Sequence, residues 1–338
     1  MKICVIGAGA IGGLMGAKFS LVGEDVTFIE RPGPHLDAIN KNGLKVLMHD
    51  GQEVVARDTK AVENMAKTGP QDLVVIAVKA YQIPPIAPKM RALFGPDTTV
   101  LTIQNGIPWW YFQKHGGELD GRRLESVDPD GTIEANIEAA RIIGCVVYPA
   151  AEVIQPGVIK HVEGNRFPIG ELDGSQSERV ERIQQMFVGA GFKSFVLDNI
   201  RSEIWLKAWG NLSFNPISAL TQATLVDICQ FTPTRELAAR MMGEAQAIAN
   251  KLDITFRHTI EKRIAGAESV GKHKTSMLQD VEAGRALEIE ALVGAIVELG
   301  RLTETPTPHI DAVYACTKLL DKVMRDEGVA VVPKSLAA

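Results

Sequence analysis

Three polar residues recur at helical spacing in the second half of the chain: Lys207, Asn211 and Asn215. At i, i+4 and i+8 they form one stripe of a helix, drifting by about 40° per step. Trp205 and Trp209 form a second, apolar stripe that anchors the helix. Pro216 is expected to end it just after Asn215. Amides are costly on a helix surface unless bonded. A cation and two amides on one face suit carbonyl reduction. Hydride delivery to a ketone puts negative charge on oxygen, and a positioned ammonium stabilises that charge and donates the proton. The amides would orient substrate oxygens. The competing reading is a salt-bridged surface lysine with two capping asparagines.

A hydride needs a carrier, and the first thirty-one residues have the pattern of a site for one. Lys2 to Ile6 is a short strand-forming run. It meets Gly7-Ala8-Gly9-Ala10-Ile11-Gly12 directly, and an amphipathic helix is expected to follow through Leu14, Met15, Phe19 and Val22, closed by Gly23. A second apolar run, Val26 to Ile29, ends in Glu30-Arg31. Strand, glycine turn, helix, strand is the first half of a dinucleotide-binding unit. Gly7 permits the sharp turn, Gly9 lets a pyrophosphate approach the backbone, and Gly12 lets the helix pack on the strand. The helix N-terminus offers free N–H groups and partial positive charge. Glu30 and Arg31 give opposite answers about the cofactor. An acid there favours a ribose 2′-hydroxyl, hence NAD; an arginine favours the 2′-phosphate of NADP.

Further candidates lie at strand and helix ends. Asp72 to Val78 is a nearly continuous apolar run, as in a strand buried on both faces, and it delivers Lys79 to its carboxyl end. Thr98 to Ile103 repeats the pattern and delivers Gln104-Asn105-Gly106. Ligands bind at that edge of open α/β sheets, so Lys79 and Asn105 are expected to face the glycine loop; a solvated lysine and a turn asparagine are the alternatives. Thr275 to Asp280 is expected to open a long helix, with Ser276 and Gln279 as a capping box. Glu288, twelve residues after Ser276, is expected to share its cleft. Periodicity alone does not choose Glu288 over Glu282 or Glu290.

The elements that must position these groups divide the chain near residue 200. Residues 1–200 are expected to form a Rossmann-type α/β domain. Helices are expected at His35 to Asn42, Ala61 to Lys67 and Ser177 to Phe187. A hairpin is expected at Leu44 to Ala56, and strands at Arg141 to Val147, Val158 to Val162 and Lys193 to Val196. Residues 201–338 are expected to form an all-helical domain for substrate binding and dimerisation. Trp109, Trp110, Tyr111 and Phe112 read as a small satellite core. The polar stretch Gly116 to Asn136 reads as an excursion over the active site or a subunit contact.

With 46% hydrophobic and 23% charged residues in 338, the chain is an ordinary globular protein of about two domains. A net charge of −5 gives no footprint for nucleic acid or an anionic membrane. Cys4, Cys145, Cys229 and Cys316 are scattered and read as buried reduced thiols. No metal-ligand spacing occurs among the seven histidines. No apolar run approaches the roughly 20 residues of a membrane helix. The glycine motif begins too early for a signal peptide, and a cytoplasmic protein is expected.

Taken together, the chain resembles the ketopantoate reductase (2-dehydropantoate 2-reductase) family over nearly its whole length. The resemblance rests on Gly7-x-Gly9-x-x-Gly12, Val78-Lys79-Ala80, Gln104-Asn105-Gly106, Lys207-x-x-x-Asn211-x-x-x-Asn215-Pro216, Ser276-Met277-Leu278-Gln279-Asp280 and Glu288-Ile289-Glu290. It implies NADPH-dependent reduction of 2-dehydropantoate to (R)-pantoate. By position it implies Lys207 as general acid and Glu288 as the acceptor of the substrate's hydroxyl. Asn211, Asn215 and Ser276 would bind substrate. Gly7, Ala8, Gly9, Ala10, Ile11 and Gly12 would hold the cofactor, with Lys79 and Asn105 at its junction with substrate and Arg31 on the 2′-phosphate. Against the family pattern, the segment from Trp109 to Asn136 is long and aromatic. A dehydrogenase for another branched 2-oxo acid is the alternative within the class. A non-catalytic dinucleotide-binding redox sensor and a methyltransferase on a similar sheet are alternatives outside it. A homodimer is expected.

Overall fold

The structure is a computed structural model, and residues 1–334 are described. The described part of the chain forms two compact units. The first comprises residues 1–104, 109–123 and 128–200. The second comprises 105–108, 124–127 and everything from Arg201. Two short segments therefore leave the expected N-terminal range and join the second unit.

The first unit contains eleven strands: β1 (Lys2–Ile6), β2 (Asp25–Ile29), β3 (Leu44–Leu47), β4 (Glu53–Ala56), β5 (Lys60–Val62), β6 (Gln71–Ile76), β7 (Phe94–Thr102), β8 (Ile142–Cys145), β9 (Ala150–Gln155), β10 (Val158–Glu163) and β11 (Ile169–Glu171). Seven of them form one sheet in the order β11-β8-β7-β6-β1-β2-β5. All its neighbours run parallel except β11, which is antiparallel to β8 at the edge. The chain goes from β1 to β2 on one side and returns to β6 on the other. The carboxyl end of β1 is thus the topological switch point, where ligands bind in open α/β sheets.

The remaining four strands form a second sheet, β4-β3-β10-β9. Two hairpins a hundred residues apart in sequence meet through the parallel pair β3 and β10. This sheet explains α1 (Ala10–Ser20). The sequence pattern suggests an amphipathic helix, but its buried residues run from Gly12 to Ala17 and include Phe19, covering every face. A helix apolar all round is one covered on all sides. A Cβ on Gly16 would meet the Phe28 ring of β2, and one on Gly13 would meet Ile159 of β10. The helix is wedged between the two sheets.

Two local expectations are corrected here, and a third, the packing of the aromatic run, holds. Ala61 to Lys67 is not a helix: Lys60–Val62 is edge strand β5, followed by a single 3₁₀ turn, Met65–Lys67. Lys193 to Val196 makes only isolated bridges to Arg166 and Ile169. The aromatic run packs inward, with Trp109, Trp110, Tyr111 and Phe112 all buried and Trp110 Nε1 donating to Thr102 Oγ1 at 3.0 Å. Asp128, 1% exposed, organises the following polar stretch by accepting from the N–H groups of Ile133 and Glu134. Helices α2 (Pro34–Asn42), α3 (Ala87–Met90) and α4 (Glu178–Gly189, capped by Ser177) complete this unit.

From Arg201 the second unit is helical. Its helices are α5 (Ile200–Thr221, entered from the first unit), α6 (Leu225–Gln230), α7 (Thr232–Lys251), α8 (Ile260–Ser269), α9 (Ser276–Glu282), α10 (Ala295–Leu302) and α11 (Pro308–Glu327). Pro216 does not end α5; the helix continues to Thr221. A mid-helix proline costs about 3 kcal/mol. Leu212, Phe214, Ile217 and Ala219 flank it and are all buried. Burying side chains of this kind contributes about 1.5–3 kcal/mol apiece for the larger ones, enough to outweigh the break. Trp205 and Trp209 anchor the helix as expected. Both are fully buried; the Trp209 ring stacks on Phe256 at 4.1 Å, and its Nε1 donates to the Met242 carbonyl at 2.8 Å. Of the four cysteines, Cys316 is exposed on α11, contrary to the expectation that all are buried. Among the described residues no helix is long and apolar enough to cross a membrane.

Candidate active site

In the first unit the glycine loop leaves β1 at the switch point. Gly7, at φ +100°, turns the chain, and its N–H donates to the Ile29 carbonyl at 2.9 Å. A side chain on Gly7 would press on Ala77 and Val78, and one on Gly12 would overlap the Gly7 carbonyl oxygen and crowd Ala77. Both glycines are therefore demanded by the protein's own packing. Gly9 is different. Its φ is an ordinary −65°, and nothing lies within 4 Å of where a Cβ would stand. Internal packing does not require a glycine there, and the open side leaves room for a ligand to approach the backbone closely. Gly9 caps α1 without a side chain, and the first intrahelical bond runs from Gly13 N–H to the Gly9 carbonyl. The N–H groups of Ala10, Ile11 and Gly12 thus precede any intrahelical donor and suit an anion. These residues fit the pyrophosphate of a dinucleotide.

Ala8 is held on both sides. Its N–H donates to Glu30 Oε2 at 2.8 Å, and its carbonyl lies 2.8 Å from His35 Nε2. The Arg31 side chain is exposed at the end of β2. Lys79 follows β6, two residues after Ala77, the residue that abuts both Gly7 and Gly12. It opens a 3₁₀ turn, Ala80–Gln82, with its own N–H bonded to Gln82 Oε1. Gln104 straps the same strand end, donating to the carbonyls of Ile76 and Val78.

In the second unit the stripe on α5 gathers residues from distant segments. Lys207 Nζ donates to Asn105 Oδ1 at 2.6 Å, both half-buried. Asn105 belongs with this unit, not with the sheet edge that delivers it. Two turns on, Asn215, 5% exposed, directs Nδ2 at Ser276 Oγ, 3.4 Å away. Asn211 is half-buried between them.

The helix beginning at Ser276 differs from expectation in two ways. Its cap is Thr275, whose Oγ1 accepts from the Leu278 N–H, so the Ser276 hydroxyl is not consumed by capping. It is also short, ending at Glu282 before Gly284 takes φ +62°. Glu288 therefore does not continue the face of Ser276 on one helix. It lies half-buried just before a π-helical segment, Glu290–Gly294, that runs into α10.

That π segment positions Asn105. A π turn interrupts the regular i→i−4 ladder and leaves a carbonyl for another partner. The Ala291 carbonyl accepts from the Ile107 N–H at 2.8 Å. Gly106, at φ +84°, lies so close that a Cβ would overlap the Ala291 oxygen. Glu290 is engaged elsewhere: Tyr314 OH donates to its Oε2 at 2.8 Å, and Lys318 Nζ pairs with its Oε1 at 2.9 Å. The bonds to Tyr314 and Glu290 hold the Lys318 ammonium well above the usual lysine range. Neither the π segment nor His35 was legible in the sequence. The glycine of Gln104-Asn105-Gly106 was the one available signal that something approaches there.

A doubly wound sheet with a glycine loop at its switch point, joined to a helical unit carrying a lysine-amide stripe, defines a dinucleotide-binding oxidoreductase. Two family profiles cover most of the chain: "Ketopantoate reductase PanE/ApbA" matches residues 3–174, and "Ketopantoate reductase PanE/ApbA C terminal" matches 199–321. The chain belongs to the ketopantoate reductase family. It is 52% identical to a 2-dehydropantoate 2-reductase of Mesorhizobium japonicum, over 95% of this chain and 98% of that one. A crystal structure of a putative ketopantoate reductase from Ralstonia solanacearum superposes with a TM-score of 0.90 at 36% identity, covering 95% and 98% of the two chains. D-mandelate dehydrogenase, solved with NADH and anilino(oxo)acetate, shares the fold at a TM-score of 0.81 and 23% identity, covering 96% of this chain and 99% of that one.

Proposed function

We propose that this protein reduces 2-dehydropantoate to (R)-pantoate with NADPH, in the pathway to pantothenate and coenzyme A. NADPH, when bound, supplies the hydride that adds to the carbonyl carbon. Lys207 gives a proton from Nζ to the carbonyl oxygen, and the resulting neutral amine recovers its proton from water. Asn105 Oδ1 holds the ammonium and limits the rotamers it samples. Asn211, Asn215 and Ser276 bind the substrate, and Glu288 accepts from its hydroxyl. The backbone of Gly7 to Gly12 holds the pyrophosphate and Arg31 the 2′-phosphate, and Lys79 and Asn105 line the junction of cofactor and substrate.

The observation that carries this reading is the lysine held at 2.6 Å by Asn105 at the head of an amide stripe, with the Ser276 hydroxyl beside its far end. A surface lysine with capping asparagines has no need of such partners. The name of the Mesorhizobium relative supports the choice of substrate. The test is a spectrophotometric assay that crosses NADPH and NADH with a panel of 2-oxo acids. The highest kcat/KM is expected for ketopantoate with NADPH. A higher value for another branched 2-oxo acid would move the protein to the neighbouring dehydrogenase activity. Binding of dinucleotide without turnover on any of them would favour a sensor. The proposal includes a homodimer through the helical unit, supported by the exposed Leu319 and Val323 on α11, and light scattering of the purified chain gives its mass.

A further inference from the structure

Glu30 is the residue whose type argues against NADP, since an acid at the end of β2 ordinarily accepts from a ribose 2′-hydroxyl. Its carboxylate is already engaged here. Oε2 accepts from the Ala8 N–H at 2.8 Å and Oε1 from the Arg31 N–H at 3.0 Å. The next peptide unit, through the Ala8 carbonyl, is held as well. His35 Nδ1 accepts from the Gly157 N–H at 3.0 Å, so in the neutral ring the proton sits on Nε2, which donates to the Ala8 carbonyl at 2.8 Å. Ala8 is thus gripped through its N–H by a carboxylate at the end of β2 and through its carbonyl by an imidazole on α2, one bond on each of the two peptide units that flank its Cα. The imidazole is itself fixed by the turn between β9 and β10.

We propose that Glu30 and His35 are positioning residues that clamp the peptide units on either side of Ala8, and that Glu30 is not the group that discriminates the 2′-position. The clamp orients the residues that follow: Gly9 with its open side, and the N–H groups of Ala10 to Gly12. A bond to a charged acceptor in a partly buried place is the stronger kind, so Glu30 supplies the firmer half of the grip. Discrimination then falls to the exposed Arg31. The inference rests on the dinucleotide reading above but not on the identity of the 2-oxo acid.

The test titrates NADPH and NADH against the full-length protein by fluorescence, for the wild type and for Glu30→Ala, Glu30→Gln, His35→Ala, His35→Gln and Arg31→Ala. Glu30→Ala and His35→Ala are expected to weaken both dinucleotides by the same factor, about tenfold for one lost bond of this kind. The loss falls on Kd and on KM for the cofactor rather than on kcat. Gln at position 30 keeps an acceptor for Ala8, and Gln at 35 supplies both a donor and an acceptor. Each is expected to recover part of the loss, again equally for the two cofactors. Arg31→Ala weakens NADPH alone. A Glu30→Gln or Glu30→Ala protein that gains affinity for NADPH while losing it for NADH overturns the clamp, because the acid is then the 2′-reader. Glu30→Gln carries this comparison if an alanine variant fails to fold. A wild type that binds neither dinucleotide sinks the cofactor reading and the clamp with it. A shifted NADPH/NADH ratio sinks the clamp alone.

Discussion

The glycine loop and the lysine stripe are built in opposite ways. The loop is almost all backbone: its ligand groups are N–H donors, its shape follows from residues without side chains, and nearly everything that makes it lies within thirty-one consecutive positions. The stripe is all side chains. Its members come from α5, from a four-residue visit by 105–108 and from the start of α9, separated by up to 171 positions between Asn105 and Ser276. The first kind of site tolerates little change in chain geometry. The second tolerates little change in chemistry.

The sharpest break of that contrast is Lys207→Ala. Loss of a general acid is expected to lower kcat by about 10²-fold or more while dinucleotide binding stays as in the wild type. Unchanged turnover would remove Lys207 from the reaction. Within the loop, Gly12→Ala and Gly9→Ala should separate packing from binding. The Gly12 variant is expected to lose about 3 kcal/mol, the upper end for overpacking, because its methyl group overlaps the Gly7 carbonyl. The Gly9 variant is expected to melt like the wild type and to bind dinucleotide more weakly, since its methyl group enters open space. Equal stability losses in the two would erase the distinction drawn between them.

Neighbouring residues sharpen the comparison in the helical unit. Thr275→Ala removes a helix cap and is expected to cost about 1 kcal/mol in chemical denaturation. Ser276→Ala should leave stability nearly unchanged and raise KM for the 2-oxo acid. If Ser276 proves to be the stabilising member of the pair, the cap has been assigned to the wrong residue. The mildest expectation concerns thiols. In the native protein only Cys316 should take up a maleimide, because Cys4, Cys145 and Cys229 are buried and burial pushes the Cys4 thiol up to about 12. The other three should react only after unfolding.

This division also governs what the sequence revealed. The turn, helix and strand around Gly7, the hairpin at Asp50-Gly51 and the buried runs of β6 and β7 are local patterns, and they read out directly. The second sheet did not, because β3 finds β10 more than a hundred positions away and neither hairpin advertises its partner. The stripe was visible as spacing on α5, and Asn105 and Ser276 were visible at a strand end and a helix start, but nothing local joined them to the stripe. Pro216 lies inside a helix that local propensity would end there, because the burial of its neighbours is a tertiary effect. The capping serine misled because Thr275 and Ser276 are both competent caps and only geometry separates them. Nothing in the spacing of Glu290 indicated a π segment, and without it the role of Gly106 has no explanation.

The wedging of α1 between two sheets has a dynamic consequence. A helix with one face in solvent can tilt or fray to meet a ligand. This one has no free face, so its hydrogen-bonded amides, from Gly13 on, should exchange with solvent only when the surrounding structure opens as a whole. The N-terminus offered to the pyrophosphate is accordingly a fixed jig. Adjustment to different cofactors must come from the exposed segment after β2, where Arg31 lies, rather than from the helix.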